Sequence, residues 1–127
     1  MSAPLGPAAP FLIVGDLPKS VAFYRDGLGF HVAHLSPEEA PFFAVIERGS
    51  ARILLKAVEV APLPNPERDP DARWDVFVSA PDPDALSAEF LGRNVAFAVP
   101  LADTDDALRG FEISDPDGHV LFFGRPL

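Results

Sequence analysis

Residues 111–123 read FEISDPDGHVLFF, two apolar runs joined by an Asp-Pro-Asp-Gly turn. Pro116 sets φ for a tight turn and Gly118 accepts the positive φ that a reversal requires, so this stretch predicts a β-hairpin. The outgoing strand places Val120 and Phe122 on one face and further apolar residues on the other. Because neither face of that strand carries a carboxylate or an imidazole, it lacks the side chains that would bind a metal ion.

A second informative stretch lies upstream. Residues 11–30 read FLIVGDLPKSVAFYRDGLGF and predict a strand, a capped helix, a turn and another strand. Asp16 is placed to cap the helix by accepting backbone N–H bonds. Val21, Tyr24 and Leu28 recur at helical spacing and define the buried side of this helix.

The two stretches together resemble the vicinal oxygen chelate superfamily, which includes glyoxalase I, extradiol dioxygenases and bleomycin-resistance proteins. The resemblance lies in DLxxSVxFYxDxLGF at 16–30 and DPDGH at 115–119, and it covers about residues 9–125. It implies an α+β fold in which two βαβββ modules form an incomplete, barrel-like curved sheet. It also implies that two chains pair in a homodimer.

The sequence divides into two similar halves within a single domain, 1–127. Module one is predicted at about 9–57, a Pro-rich linker at 58–72, and module two at about 73–125. Each half shows the same order of strand, helix and three strands. The predicted elements are a strand at 10–15, a helix at 17–27, strands near 30–36, 41–48 and 51–57, then a strand at 74–79, a helix at 83–92, and strands near 95–99, 109–114 and 119–124.

Composition limits the partners. The chain carries 19 acidic and 10 basic residues, a formal net charge of −9. This balance argues against nucleic acid and against anionic membrane surfaces as partners. The chain has no cysteine, which excludes disulfides, thiolate metal sites and a cysteine nucleophile. We expect a cytoplasmic protein.

Metal-dependent members of the superfamily place His, Glu or Gln ligands at up to four positions, one on the first and one on the last strand of each module. Matched one position at a time, these fall on Ala9, Leu54, Asp75 and Phe122. Three of the four are apolar, and one carboxylate does not hold a metal alone. The sequence therefore predicts no metal, no other cofactor and no catalytic residue.

The three histidines give no alternative ligand set. His31 and His34 are three residues apart on a predicted strand, so they are expected to point to opposite faces. His119 follows the turn glycine and is predicted to complete the hairpin. No Ser–His–Asp pattern, phosphate-binding loop, dinucleotide fingerprint or His-Glu-x-x-His motif is present.

The remaining candidates are aromatic and charged side chains on the inner wall of the curved sheet. Alternation places Asp75 and Phe77 on one face of their strand, with Trp74 at its mouth as a stacking platform. Arg109 is expected to share the inner face with Phe111. A cavity lined by rings and one or two charges is typical of small-molecule pockets. The predicted ligand-binding residues are Phe43, Leu54, Trp74, Asp75, Phe77, Arg109, Phe111 and Phe122.

Each aromatic residue of this set would otherwise be plain core, and two charged residues also keep a structural alternative. Asp75 would otherwise be an exposed carboxylate at the end of a strand. Arg109 would otherwise form an ion pair with a neighbour such as Asp115 or Asp117.

The pattern is most similar to the bleomycin-resistance branch, through residues 73–78 and 109–112. Members of that branch are metal-free, acidic dimers that sequester a cationic glycopeptide in grooves between subunits. The resemblance implies stoichiometric binding of an aromatic or cationic small molecule without catalysis. One alternative is a divalent-metal lyase, isomerase or dioxygenase whose ligands include Asp75. Another is a catalytically silent domain that serves oligomerisation or regulation.

Overall fold

The computed structural model describes all 127 residues, and the helices and strands lie between Phe11 and Pro126. The first helix, Leu17–Ala22, continues into one π-helical turn, Phe23–Gly27, so the helical segment covers the predicted range. No helix is both long and apolar enough to cross a membrane. The elements are β1 (Phe11–Val14), α1 (Leu17–Ala22), β2 (His31–Ser36), β3 (Phe43–Arg48), β4 (Ala51–Ala57), α2 (Asn65–Arg68), β5 (Val76–Ser79), α3 (Pro83–Gly92), β6 (Val99–Asp103), β7 (Leu108–Ser114) and β8 (Val120–Pro126).

The strands form two open four-stranded sheets. The first sheet has the order β1-β4-β3-β2, and the second repeats it as β5-β8-β7-β6. In each sheet the first strand pairs in parallel with the last, and the other pairs are antiparallel. This topology confirms the predicted α+β fold of two βαβββ modules, and neither sheet closes into a barrel. We call the side of each sheet that packs on helices the helix face, and the other side the open face.

Both main helices begin at an aspartate cap. Asp16 accepts a hydrogen bond from the backbone N–H of Lys19 at 3.1 Å, as predicted. The equivalent cap of α3 is Asp82, which accepts from the backbone N–H of Ala85 at 3.0 Å. Asp84 lies in the first turn of α3, where its negative charge interacts favourably with the positive end of the helix dipole.

The prediction for the strand after α3 is wrong by about four residues. Residues 95–98 belong to no strand, and β6 begins only at Val99. The Val95 N–H donates back to the Phe90 carbonyl of α3, and only the Ala98 N–H bonds to β7, at the Glu112 carbonyl. The alternation of Val95 and Phe97 arises because these side chains pack on the core, not because they belong to a sheet. The spacing of apolar residues along the chain indicates which side chains are buried, whereas a strand also requires backbone hydrogen bonds to a neighbouring strand.

The core lies between the helices and the helix faces of both sheets. One cluster of 18 buried apolar residues runs through both modules. In the second module, Phe90 of α3 packs edge-on against Phe111 and Phe123, with ring centroids 5.7 and 5.3 Å apart. The two modules therefore share one hydrophobic core.

The hairpin between β7 and β8 connects the second module to the first. The Tyr24 hydroxyl donates to Asp115 Oδ2 at 2.8 Å, in a fully buried contact. The backbone N–H of Gly15 donates to Asp117 Oδ1 at 3.1 Å. The Asp-Pro-Asp-Gly turn is therefore part of the junction between the modules as well as a reversal of the chain.

Candidate functional site

Three aromatic rings meet on the open face of the second sheet. Trp74 stacks on Phe122 with ring centroids 4.5 Å apart, and Phe77 stacks on the same ring at 5.4 Å. Phe122 is 1% exposed and forms the floor, whereas Phe77 is 46% exposed. We call these three residues the aromatic cluster. The structure thus brings together three of the side chains predicted from sequence.

Two glycines make room for the floor of this cluster. Gly110 of β7 and Gly124 of β8 lie opposite each other in the sheet. A Cβ atom on Gly110 would lie 2.5 Å from the Phe122 ring, and one on Gly124 would lie 2.6 Å from it. Only residues without a side chain allow Phe122 to lie across the sheet at this point.

Trp74 is held by polar groups that the sequence analysis did not identify. Its indole Nε1–H donates to Glu112 Oε2 at 3.1 Å, and Glu112 lies directly opposite Phe122 in the sheet. The guanidinium of Arg73 lies 4.4 Å from the centroid of the indole, within the range of a cation–π contact. A correct assignment of the open face of β7 would have identified Glu112.

An acidic cavity of about 500 Å³ lies beside the aromatic cluster. Asp106 on its wall accepts hydrogen bonds from Thr104 and Arg73, and these bonds lower the pKa of its carboxyl. Asp106 therefore stays ionised to lower pH than an isolated aspartate. The cavity is lined by Arg73, Val99, Ala102, Asp103, Thr104, Asp105, Asp106 and Glu112.

The first sheet carries a smaller apolar group on its open face. Phe11 of β1 lies opposite Leu54 of β4, and the rings of Phe11 and Phe43 are 6.1 Å apart. Phe43 and Leu54 are both half-buried. These two predicted ligand-binding residues are therefore on the open face, but on a different sheet from the aromatic cluster.

Two histidines also lie on this face, which corrects a sequence prediction. A bulge between Val32 and His34 shifts the register, so that His31 pairs with Glu47 and His34 pairs with Val45. Because Glu47 and Val45 are two residues apart, both histidines point to the same face. The prediction that they point to opposite faces assumed an unbroken strand.

Phe111 and Arg109 lie on the helix face, not on the predicted inner wall. Phe111 is fully buried and stacks on Phe97, with ring centroids 4.9 Å apart. Arg109 forms ion pairs with Asp84 at 2.8 Å and Asp103 at 2.9 Å, and these hydrogen bonds raise the pKa of its guanidinium. Alternation correctly groups the two residues on one face of β7, but the register of the sheet decides which face that is.

Asp75 lies at the start of β5, and both of its oxygens accept backbone hydrogen bonds. Oδ1 accepts from the N–H of Asn65 and Oδ2 from the N–H of Val120, both at 2.8 Å. The carboxylate therefore ties α2 and the hairpin to the beginning of the strand. The alternative that Asp75 is an exposed carboxylate at the end of a strand is therefore wrong, because Asp75 is half-buried.

One group of three side chains in the protein has the proximity that metal coordination requires: Asp115, Asp117 and His119. Asp115 Oδ2 accepts from the Tyr24 hydroxyl and contacts His119 Nδ1, both at 2.8 Å. Its Oδ1 accepts two backbone N–H bonds at 2.9 Å. Both carboxylate oxygens of Asp115 and Nδ1 of His119 are thus already engaged in hydrogen bonds within the fold. Burial, followed by the charge of Asp115, raises the pKa of Tyr24 well above its ordinary value.

We expect His119 to make stability depend on pH near neutrality. Burial alone would lower the pKa of His119, but the hydrogen bond and charge of Asp115, aided by Asp75 and Asp117, outweigh burial and raise it. The resulting stabilisation is full below the unfolded pKa of about 6.5 and is lost as pH rises through the folded pKa. The free energy of unfolding, measured with urea, should be larger at pH 6 than at pH 8.

The variant His119→Gln should reduce this difference, since the titrating pair is gone. His34→Gln serves as the control because His34 is exposed, and it should keep the pH dependence of the original protein. An equal pH dependence in His119→Gln would contradict the assignment to this imidazole.

A pair of βαβββ modules with an aromatic open face defines a recognisable class of small α+β protein. The chain belongs to the glyoxalase/bleomycin resistance protein/dioxygenase superfamily, whose family model matches residues 6–123. No curated protein sequence matches this chain significantly.

Solved structures share the fold over nearly the whole chain. The bleomycin-binding protein from bleomycin-producing Streptomyces verticillus, complexed with copper(II)-bleomycin, is 27% identical; 97% of each chain is covered, with a TM-score of 0.71. TnmS3, an antibiotic-binding protein from Streptomyces sp. CB03234, is 21% identical over 100% of this chain and 99% of its own, with a TM-score of 0.73. A glyoxalase-related enzyme from Clostridium phytofermentans is 14% identical over 98% of both chains, with a TM-score of 0.77.

Proposed function

We propose that this protein binds and sequesters a small aromatic or cationic molecule on its open face, without a metal ion and without catalysis. The observation that carries this proposal is the partly exposed aromatic cluster next to a cavity rich in carboxylates. The likeness to a bleomycin-binding protein that is 27% identical supports the same class of ligand.

The mechanism is stacking combined with charge attraction. A flat ring of the ligand contacts Phe77 and the edge of Trp74, which Glu112 and Phe122 hold in a defined orientation. Offset or edge-on ring contacts contribute about 0.5–1.5 kcal/mol each beyond the area they bury. The carboxylates around Asp106 attract a positively charged part of the ligand, and the net charge of −9 acts in the same direction.

We propose further that the chain functions as a homodimer. Three apolar side chains on the open faces are exposed in the single chain: Phe11 by 55%, Phe77 by 46% and Val99 by 43%. Covering such surface with a second copy is favourable and would complete the walls of a ligand groove. Sedimentation at micromolar concentration should give the mass of two chains, and a monomer would contradict this part of the proposal.

The proposal predicts a specific loss of binding in Phe77→Ala. Titration of bleomycin or another planar cation should change the emission of Trp74, the single tryptophan of the chain, and should give a dissociation constant by calorimetry. Removing the Phe77 ring should weaken that constant roughly fivefold to tenfold, because one stacking surface is lost.

A matched control is Phe42→Ala. Phe42 is 47% exposed, almost the same as Phe77, but it lies outside the aromatic cluster. It should bind the ligand like the original protein. Equal losses in both variants, or unchanged Trp74 emission at saturating ligand, would exclude the open face of the second sheet as the site.

Elemental analysis distinguishes the proposed binding protein from the alternative, a divalent-metal enzyme. Protein purified without chelator should contain no stoichiometric divalent ion under our proposal. A stoichiometric ion that is lost in Asp75→Asn would favour the enzyme instead, although both Asp75 oxygens already accept backbone hydrogen bonds.

A further inference from the structure

Arg68 is unusual among the arginines of this acidic chain. Its guanidinium has no hydrogen-bond acceptor or carboxylate partner in the protein, although acidic residues outnumber basic ones by 19 to 10. The other arginines bind carboxylates, except Arg125, which donates to the carbonyl of Pro126. The paired ones are Arg25, Arg48, Arg52, Arg73, Arg93 and Arg109.

Arg68 lines a cavity of about 430 Å³ between β1, at the free edge of the first sheet, and the segment that contains α2. This volume is within the range of about 300–1,000 Å³ that is usual for small-molecule sites. The walls are mainly aliphatic, with Leu12 and Ile13 on one side and Val60 and Leu63 on the other. Val60 and Leu63 are 62% and 55% exposed, so this apolar surface is open to a ligand.

A buried imidazole also lines this cavity. His119 is 4% exposed, and its Nδ1 contacts Asp115 Oδ2 at 2.8 Å. Its other ring nitrogen, Nε2, has no hydrogen-bond partner in the protein, yet it is not sealed from solvent. When the ring is protonated, Nε2–H is a free donor beside the cavity.

Asp75 is the one carboxylate in the lining. Both of its oxygens accept backbone N–H bonds, so it is engaged independently of Arg68. Its negative charge nevertheless limits how much negative charge a ligand can bring. A singly charged anion therefore suits this cavity better than a doubly charged phosphate.

We propose that this cavity is a second ligand site, which binds an aliphatic monocarboxylate. The carboxylate accepts hydrogen bonds from Arg68 and from His119 Nε2–H, and the hydrocarbon chain lies along Leu12, Ile13, Val60 and Leu63. A guanidinium donates two parallel bonds to a carboxylate, which matches the one free arginine of the chain. This site lies outside the aromatic cluster and takes a ligand of opposite charge, so it stands independently of the function proposed above.

The test uses octanoate at pH 6, where the imidazolium form of His119 is populated. Calorimetry gives the dissociation constant, and NMR follows the ring resonances of His119. We expect octanoate to bind with a shift of the His119 resonances. Octylamine, which has the same chain and the opposite charge, should leave the His119 resonances unshifted, whether or not it binds at the acidic cavity of the open face.

The variant Arg68→Gln should weaken octanoate binding about tenfold or more, because a charge-assisted bond is removed at an exposed position that the fold does not use. Arg125→Gln is the matched control, since it removes the other arginine without a carboxylate partner, and it should bind octanoate normally. The proposal would be overturned by octanoate binding that survives Arg68→Gln or that leaves the His119 resonances unchanged. It would also be overturned by the same His119 shift with octylamine, or by an absence of octanoate binding.

Discussion

Asp115→Ala is expected to lower the free energy of unfolding by about 3–5 kcal/mol, because it breaks a buried charged network. Asp115 is 5% exposed, and its carboxylate takes part in four hydrogen bonds. Its loss leaves the Tyr24 hydroxyl, the His119 ring and two backbone N–H groups without their acceptor. Each buried donor that stays unsatisfied costs about 1–3 kcal/mol.

Denaturation by guanidinium chloride measures this loss directly. Asp105→Ala is the control because Asp105 is an exposed aspartate, and it should change stability by no more than about 0.5 kcal/mol. Tyr24→Phe removes a single donor of the network and should give an intermediate loss of about 1 kcal/mol. Similar stabilities for Asp115→Ala and Asp105→Ala would show that this network does not hold the modules together.

Gly110→Ala is expected to affect both stability and the candidate site. The added methyl group would collide with the backbone carbonyl oxygen of Phe123 and with the Phe122 ring. Because the carbonyl belongs to the neighbouring strand, rotation of a side chain does not relieve the collision. Overpacking of this kind costs about 1–3 kcal/mol and sometimes more.

The collision should also displace Phe122 from beneath Trp74. We therefore expect a shift in the emission of Trp74 and a weaker affinity for planar cations, in addition to a lower denaturation midpoint. Gly92→Ala is the matched control because a Cβ atom at that position meets nothing within 4 Å beyond its chain neighbours and the backbone of its own helix. If Gly110→Ala kept both the stability and the Trp74 emission of the original protein, the described packing of Phe122 would be wrong.

These two predictions concern opposite faces of the same hairpin. On the helix face, Asp115 joins the hairpin of β7 and β8 to Tyr24 of the first module. On the open face, Gly110 and Phe122 support the aromatic cluster. A single supersecondary element thus contributes to the stability of the domain and to the shape of its proposed ligand site.

The sequence by itself determined the order of the eight strands and the two main helices, the residues at which those helices begin, and the turn at 115–118, whereas the short helix α2 falls in the predicted linker. These features depend on neighbours within a few residues: an aspartate that caps the next turn, or a Pro and a Gly that allow a reversal. The division into two modules follows from the same local signals repeated along the chain. Phe77 and Phe122 of the proposed site were also identified because alternation along a strand is a local property, and Trp74 was identified as a large ring at the mouth of its strand.

Only the tertiary structure decided which face of each strand is open and which distant residues meet. Alternation grouped Arg109 with Phe111, but the pairing of Glu112 with Phe122 put that group on the helix face. The contact between Tyr24 and Asp115 joins residues that are 91 positions apart. Long-range packing sets the strand register, the bulges and the buried hydrogen bonds between modules. The short-range spacing of apolar residues therefore does not predict these features.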